Sequence, residues 1–419
     1  MTPAHKPTLE KKSAQRHLSS GAAQTAAAQV AFKSPLTEEM LARFDSRAAV
    51  YDRENRFFEQ DFEELRAAKY LVLPLPTEFG GAGLTLAELC HEQRRLAYYA
   101  PATALAINMH LYWVGVAADL WRHGDTSLEW MLRDAAAGEI FAAGHAESGN
   151  DIPVLLSCSK AERVQGGYRF TGRKQFSSLT PVWTRFGLHG MDTSDPTQPK
   201  IVHAFIPRDA SGYIIKETWD VLGMRATRSD DTILDDVLVA DHDVLRVVPP
   251  DFAGADAYIL GLFGWFEPLV AHVYLGIAER ARDLVLERVK KRRSITMSRS
   301  MAYHPEVQHA VADIVLELEA MAPHAERIAA DWSHGVDHGH AWAAKLVAVK
   351  HRCTEGAQKV VDLALQLTGG RGMFRGNELE RLYRDVRCGG FHQAGSALVH
   401  EVVGQTALGV LGEPGPRWG

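Results

Sequence analysis

The sequence predicts an α+β protein with an N-terminal helical domain, a middle antiparallel β domain and a C-terminal four-helix bundle. Before about residue 141 and after about residue 253, apolar residues recur at three- and four-residue steps, the period of amphipathic helices. Between these regions, short alternating runs are separated by Gly, Pro, Asp and Ser clusters, as in a sandwich or barrel of antiparallel strands. No G-x-G-x-x-G motif opens a strand–helix–strand unit, which disfavours a Rossmann fold.

Composition excludes several classes of function. The chain has 419 residues and a net charge of −6, which gives no reason to expect nucleic acid or a membrane surface as a partner. No apolar stretch in the sequence reaches the roughly 18–20 residues that span a bilayer. Four scattered cysteines without C-x-x-C spacing favour a reducing compartment, and we therefore expect a cytoplasmic protein without a metal cluster.

The domains follow in chain order. Residues 1–34 have no continuous apolar core, so we expect a disordered or loosely attached arm rather than a secretory signal. Residues 35–141 form the helical domain, interrupted at PTEFGGAG. Residues 142–247 form the β domain, with runs such as GYRFTGRKQFSS and TILDDVLVA. Residues 248–419 carry three long helical repeats, and the segment after GGFHQAG supplies a fourth helix.

Four stretches in this order resemble the acyl-CoA dehydrogenase superfamily across about residues 36–412. They are PTEFGGAGLTLAEL, GGYRFTGRKQFSS, VLGMRATRSDDTILDDVLV and QLTGGRGMFRGNELERLYRDVR. The resemblance implies a flavin enzyme, usually with FAD and with FMN as the alternative. It also implies a homotetramer in which a neighbouring subunit completes the cofactor site, and an electron-transfer partner or flavin reductase.

The resemblance places one set of cofactor residues in the β domain. Ser178, in KQFSSL, takes the position of the hydroxyl residue near the flavin N5, and Phe176 takes a place commonly held by Trp against the ring face. The alternative explanation is structural: Ser177 and Ser178 could simply occupy opposite faces of a strand. Glu147 aligns with the glutamate of the family's flavin loop, although GHAESGND is shorter and has no proline after the Glu.

A second set lies in the helical C-terminal region. Gln366, Gly369 and Gly370 end a long helix, where glycines either close the helix or let a pyrophosphate approach the backbone. In the family this segment meets the partner subunit's FAD. Arg292 and Arg293 lie where the family carries an R-x-x-F-G motif for the same FAD, but the F-G pair is missing and a solvated helix end is the alternative.

The position of the catalytic base is the main departure from the family. Most members carry a glutamate in the turn before the last helix, and Gln393 occupies that position within GGFHQAG. An uncharged amide does not act as a base near neutral pH. Glu267, near the start of the first bundle helix, is the candidate substitute, with helix N-terminal stabilisation as its other explanation. His392 suits proton transfer near pH 7, and His110 is a candidate for the same pocket, with core packing as its alternative.

Three hypotheses follow for the function. The first is FAD-dependent oxidation of the CH–CH bond of an acyl thioester, with acyl-CoA as the substrate that the resemblance implies and Glu267 as base. The second is a flavin-dependent monooxygenase or oxidase that uses His392 and Ser178 and receives reduced flavin from a separate reductase. The third is a catalytically impaired flavin-binding subunit.

Overall fold

The computed structural model describes residues 32–251 and 256–413, so nearly all of the predicted arm lies outside the described residues. The N-terminal helices are α1 (Glu38–Glu54), α2 (Glu59–Ala67), α3 (Leu86–Tyr99), α4 (Pro101–Arg122) and α5 (Glu129–Ala137). Thr85 and Glu88 form a capping box that starts α3, and Pro101 at the first position starts α4. The helical prediction for this region is therefore explained by local capping as well as by periodicity.

The β region contains eight strands in one sheet, ordered β6-β7-β3-β2-β4-β5-β8, with β1 paired to β4. The strands are β1 (Phe141–Gly144), β2 (Lys160–Val164), β3 (Gly167–Lys174), β4 (Arg185–Asp192), β5 (Lys200–Pro207), β6 (Tyr213–Lys216), β7 (Asp231–Ala240) and β8 (Val244–Val248). Most strand pairs are antiparallel, as predicted, but β1 and β2 each pair with β4 in parallel. The β2–β3 hairpin lies in the connection between β1 and β4, and such a long connection is what a parallel pair requires.

The C-terminal region consists of α6 (Ala257–Lys291), α7 (Pro305–Ser333), α8 (Ala341–Thr368), α9 (Glu378–Arg387) and α10 (Ser396–Leu408). Four of these are the predicted bundle helices, and the short α9 leads into GGFHQAG. By length and composition α6 is apolar enough to cross a membrane, but 83% of its apolar window is buried inside the protein. That degree of burial fits the central helix of a bundle core.

The helical regions meet where α4 crosses α6. A Cβ on Gly115 of α4 would lie 2.2 Å from the indole ring of Trp265 on α6, so only glycine permits this approach. The indole nitrogens of Trp265 and of Trp332 on α7 both donate to Asp119 Oδ2, at 2.7 and 3.0 Å. This contact fixes α4 against the bundle, and both α4 and α6 contribute to the cavity described below.

We predict that Gly115→Ala destabilises the protein by about 1–3 kcal/mol, because the added methyl group overpacks against Trp265. Gly404→Ala on α10 is the matched control, since no atom lies within 4 Å of the added Cβ there. That variant should gain about 0.5–1 kcal/mol of helix propensity. Urea unfolding of both variants is the measurement, and equal effects at the two glycines would contradict this account of the α4–α6 crossing.

Candidate active site

A cavity of about 610 Å³ lies where α4, the loop after β1, the segment after β3, α6 and the turn before α10 converge. Much of its wall is apolar, with Leu105, Met109, Tyr112, Leu262, Phe266 and Leu398 among the lining residues. Several predicted site residues, far apart in sequence, also line it: Glu147, Phe176, Ser178, His392 and Gln393. A mostly apolar cavity with a few converging polar groups is the usual form of a ligand site.

The GGFHQAG turn packs closely against the bundle. A Cβ on Gly389 would lie 2.8 Å from Thr354 on α8 and 2.9 Å from Tyr274 on α6, so glycine is required for this contact. Ala394 has a φ of +58°, a left-handed conformation that costs energy in a residue with a side chain. The turn therefore has a defined, partly strained backbone, which sets the positions of His392 and Gln393.

His392 is held by a hydrogen bond between its Nε2 and Tyr274 Oη, at 2.7 Å. Burial, and then the positive charge of Lys350, lower the pKa of His392 to about 3. Burial raises the pKa of Tyr274 well above its usual value, so this hydroxyl keeps its proton. We assign the Tyr274 hydroxyl as donor to Nε2, which leaves a neutral imidazole with its hydrogen on Nδ1.

Gln393 lies on the cavity wall at the position where the base was expected. Its Nε2 is buried and has no hydrogen-bond partner within the described residues. A buried amide hydrogen without a partner is costly, so this group is ready to donate to a molecule in the cavity. The amide binds but does not abstract a proton.

Glu267 is fully buried in α6, and neither of its carboxylate oxygens has a hydrogen-bond partner within the described residues. The residues that line the cavity include its neighbour Phe266 but not Glu267. Burial raises the pKa of Glu267 to about 8, and the charge of Lys350 opposes that rise. The structure thus places the predicted substitute base in the bundle core rather than on the cavity wall.

The expectation that His110 lines the same pocket also needs correction, because His110 is not among the residues that line the cavity. Its Nδ1 accepts from the Phe141 backbone N–H at 3.1 Å, and its Nε2 lies 3.1 Å from the Leu71 carbonyl. Both ring nitrogens are therefore used within the core. Burial lowers the pKa of His110 to about 4, which keeps this joint between α4 and β1 uncharged.

Ser178 begins a chain of hydroxyl groups along the cavity wall. Its Oγ lies 2.7 Å from Ser229 Oγ, which lies 2.8 Å from Thr227 Oγ1, and Thr227 donates to the Met224 carbonyl at 2.9 Å. Because β3 ends at Lys174, the two serines follow the strand rather than alternate on it. Ser177 Oγ is buried, lies off the cavity wall and has no partner within the described residues.

Phe176 has a φ of +55° and an exposed ring that packs edge-on against Trp219, with centroids 5.9 Å apart. Both aromatic residues line the cavity. A bulky residue in the left-handed region is strained, and such strain concentrates at ligand sites. The ring is thus available to a planar ligand, as the resemblance implies for the flavin.

The Glu147 carboxylate is occupied by the protein itself. It accepts from Lys174 Nζ at 2.6 Å, from the Cys158 and Ser159 backbone N–H groups at 2.8 and 3.0 Å, and from Ser157 Oγ at 2.9 Å. Burial alone raises its pKa, but Lys174 and these hydrogen bonds together lower it to about 2. The side chain therefore fixes the loop after β1. Glu147 lines the cavity, but its carboxylate is already bound by protein groups.

The second predicted cofactor set lies away from this cavity. Arg292 Nη1 donates to the Leu367 carbonyl at 3.2 Å, and a Cβ on Gly369 would lie 3.2 Å from the same nitrogen. The structure thus brings Arg292 to the helix end that also carries Gln366, Gly369 and Gly370. Arg293 forms a backbone bridge with Ser300 instead. Contact with a partner subunit's cofactor stays a prediction for all five residues.

Sequence reasoning missed Tyr274 and Lys350. Tyr274 follows Glu267 by seven residues, two helical turns, so the two share one face of α6. Lys350 is a single charge within the apolar face of α8, only 2% exposed. A charged residue at a core position was an available signal, since buried lysines need a specific partner.

Comparison with known protein families identifies both ends of the chain. The family model described as acyl-CoA dehydrogenase, N-terminal domain, matches residues 26–139. The model described as acyl-CoA dehydrogenase, C-terminal domain, matches residues 257–400. The matches lie in the order that the resemblance predicted, and the acyl-CoA dehydrogenase fold is confirmed.

Three relatives cover most of the chain. A putative acyl-CoA dehydrogenase of Bacillus subtilis, YdbM, is 28% identical over 83% of this chain and 88% of its own length. An L-evernosamine nitrososynthase of a Micromonospora species is 29% identical, over 84% of each chain. The crystal structure of KijD3 in complex with FMN and dTDP-3-amino-2,3,6-trideoxy-4-keto-3-methyl-D-glucose has a TM-score of 0.78 and 26% identity. That match covers 89% of this chain and 92% of KijD3.

We predict that Lys174→Met costs about 3–5 kcal/mol of stability, because it leaves the Glu147 carboxylate buried without its counter-charge. Lys291→Met is the control: its pair with Glu287 is exposed, so this variant should unfold at close to the wild-type denaturant concentration. Chemical denaturation measures both. The double variant Lys174→Met/Glu147→Leu should recover part of the loss, and a single variant as mild as the control would contradict the role of this pair.

Proposed function

Because the chain belongs to the acyl-CoA dehydrogenase superfamily, whose members are flavin-dependent enzymes, we propose that it is a flavin-dependent monooxygenase acting on an amine. The observation that carries this proposal is the cavity wall at residues 392 and 393. A neutral imidazole and an unpaired amide occupy the place where dehydrogenation needs a carboxylate. Both groups bind and donate hydrogen bonds without removing a proton from carbon.

Dehydrogenation of an acyl thioester is less well supported by this site. The reaction needs a base poised over the substrate. Gln393 has no basic atom, and Glu267 lies off the cavity wall. The second of the three sequence hypotheses therefore fits these side chains better than the first.

The relatives favour the same direction. One is a nitrososynthase, a name that implies oxygenation of an amine nitrogen, and KijD3 was crystallised with a flavin and a 3-amino sugar nucleotide. The similarity to a putative acyl-CoA dehydrogenase is of equal size, so identity alone does not choose between the reactions. The residues at positions 392 and 393 support oxygenation.

The residues of the cavity fit a flavin. The Phe176 ring is exposed in the cavity, Ser178 ends a chain of hydroxyl groups there, and Gln393 offers a buried hydrogen without a partner. Bound in its reduced form, the flavin supplies the activation of molecular oxygen. FAD and FMN are both compatible with the isoalloxazine contacts that Phe176 and Ser178 would make.

His392 offers a directed hydrogen bond rather than the proton transfer near pH 7 that the sequence suggested, because its pKa is lowered to about 3. With Tyr274 donating to Nε2, Nδ1 carries the hydrogen and is available to the cavity. The low pKa keeps the ring uncharged across pH 5–8, so it donates a hydrogen bond without binding as a cation. The apolar wall limits water around the reacting atoms, which favours transfer of oxygen to substrate over its release as hydrogen peroxide.

We expect the enzyme, supplied with reduced flavin by a separate reductase, to consume oxygen and add one oxygen atom to primary amines. Mass spectrometry of a panel of amino sugars and alkylamines measures the product, with thioethers and acyl-CoAs as comparison substrates. Anaerobic bleaching of oxidised flavin by an acyl-CoA would instead establish the dehydrogenase. Flavin binding without turnover of either kind would favour the impaired subunit.

We predict that His392→Gln lowers oxygenated product by about 10–100-fold, the effect of one lost directed hydrogen bond, while oxygen consumption continues and yields hydrogen peroxide. Tyr274→Phe should cost about tenfold, the effect of one lost hydrogen bond that orients the ring. His400→Gln on α10 is the control, because this histidine is exposed and bonds within its own helix. Product per oxygen consumed is the measurement, and a wild-type ratio in His392→Gln would remove this residue from the mechanism.

A further inference from the structure

Lys350 lies beneath the GGFHQAG turn, in the interior of the bundle. It is 2% exposed, and its Nζ donates to the Ala394 carbonyl at 3.1 Å and reaches the His392 carbonyl at 3.4 Å. Burying an ammonium group costs several kcal/mol unless it is paired and hydrogen-bonded. An apolar side chain could fill this position without that cost, so the interactions of Lys350 must offset it.

The GGFHQAG turn has backbone carbonyl groups that need hydrogen-bond donors, and Lys350 supplies one. Residues 389–395 connect α9 and α10, and Ala394 adopts its left-handed conformation there, with φ at +58°. Buried carbonyl groups need donors, and Lys350 serves the two carbonyls that flank Gln393. It thus ties the backbone on both sides of the residue that faces the cavity.

Glu267 is the buried acidic residue that interacts electrostatically with Lys350. Its carboxyl group is fully buried on α6 and has no hydrogen-bond partner within the described residues. Lys350 is the group whose charge opposes the effect of burial on Glu267, and Glu267 acts on Lys350 in the same way. The other charged or titratable groups that interact with Lys350 are Glu355 and His351 on α8 and His392 in the turn.

We propose that Lys350 is a positioning residue of the active site: it holds the backbone on either side of Gln393 and thereby sets His392 against Tyr274. The proposal rests on the proposed function only for the chemistry that His392 performs. The arrangement of the turn is a property of the protein alone.

A purely stabilising role is a weaker explanation of Lys350. Replacing buried ionisable groups together by apolar side chains of similar volume is often neutral or stabilising, whereas removing one and leaving the other buried is strongly destabilising. The double variant Glu267→Met/Lys350→Met should therefore fold, while Lys350→Met alone loses stability. What the double variant lacks is the donor to the turn.

The experiment records ¹⁵N spectra of histidine-labelled protein without flavin at neutral pH. The His392 signals are assigned by their loss in His392→Gln. In the wild type we expect a single neutral tautomer with Nε2 as acceptor, as the Tyr274 bond requires. In the double variant we expect the two ring nitrogens to shift toward averaged values, because the ring leaves Tyr274. Product per oxygen consumed should fall by about tenfold.

Lys359→Met is the matched control on α8, since Lys359 is largely exposed and pairs with Glu317 instead. It should leave the His392 spectrum and the product ratio unchanged. A folded double variant with the wild-type His392 spectrum would overturn the proposal. A double variant that fails to fold overturns it too, because the pair would then serve folding. If the wild type forms no oxygenated product but the spectrum changes as expected, only the proposed function falls.

Discussion

Two buried lysines hold the two irregular segments that form the polar side of the cavity. Lys174 donates to Glu147 and to the His189 carbonyl, at 2.6 Å in each case, and so fixes the loop after β1. Lys350 donates to the carbonyls of the turn before α10. Segments outside helices and strands leave many backbone groups without partners, and a buried ammonium with three hydrogens can satisfy several of them at once. The cavity wall therefore depends on charge placed inside the protein rather than on secondary structure.

This arrangement also sets the charge of the neighbouring histidines. Burial, followed by the positive charge of the nearby lysine, lowers the pKa of His145 to about 3 beside Lys174 and the pKa of His392 to about 3 beside Lys350. Neither imidazole becomes a cation above about pH 5, so neither acts as an electrostatic anchor for an anionic substrate. Each of these two histidines can instead contribute a hydrogen bond, and the neighbouring groups determine which ring nitrogen donates it.

The sequence predicted the helices, the strands and the order of the domains because those depend on local periodicity and capping. It also predicted that Ser178, Phe176, His392 and Gln393 share one site, because the family motifs carry that information. It placed Glu267 at the cavity, since a motif alignment is uncertain by one residue. On a helix one residue is a rotation of about 100°, which here separates Phe266 on the cavity wall from Glu267 in the core. Partners such as Tyr274 depend on tertiary packing, which periodicity does not report.

The charge at position 393 links the architecture to the reaction. A glutamate there would put an anion on the residue whose two flanking carbonyls are bound by Lys350, whereas Gln393 keeps this position uncharged. The wall then presents the neutral groups of Ser178, His392 and Gln393 to a substrate. Uncharged hydrogen-bonding groups favour an uncharged substrate atom with a lone pair, such as a free amine, over an ammonium ion or an enolate. The absence of a glutamate at position 393 and the neutrality of the histidine thus act in the same direction: both support the proposed oxygenation of a lone pair over removal of a proton from carbon.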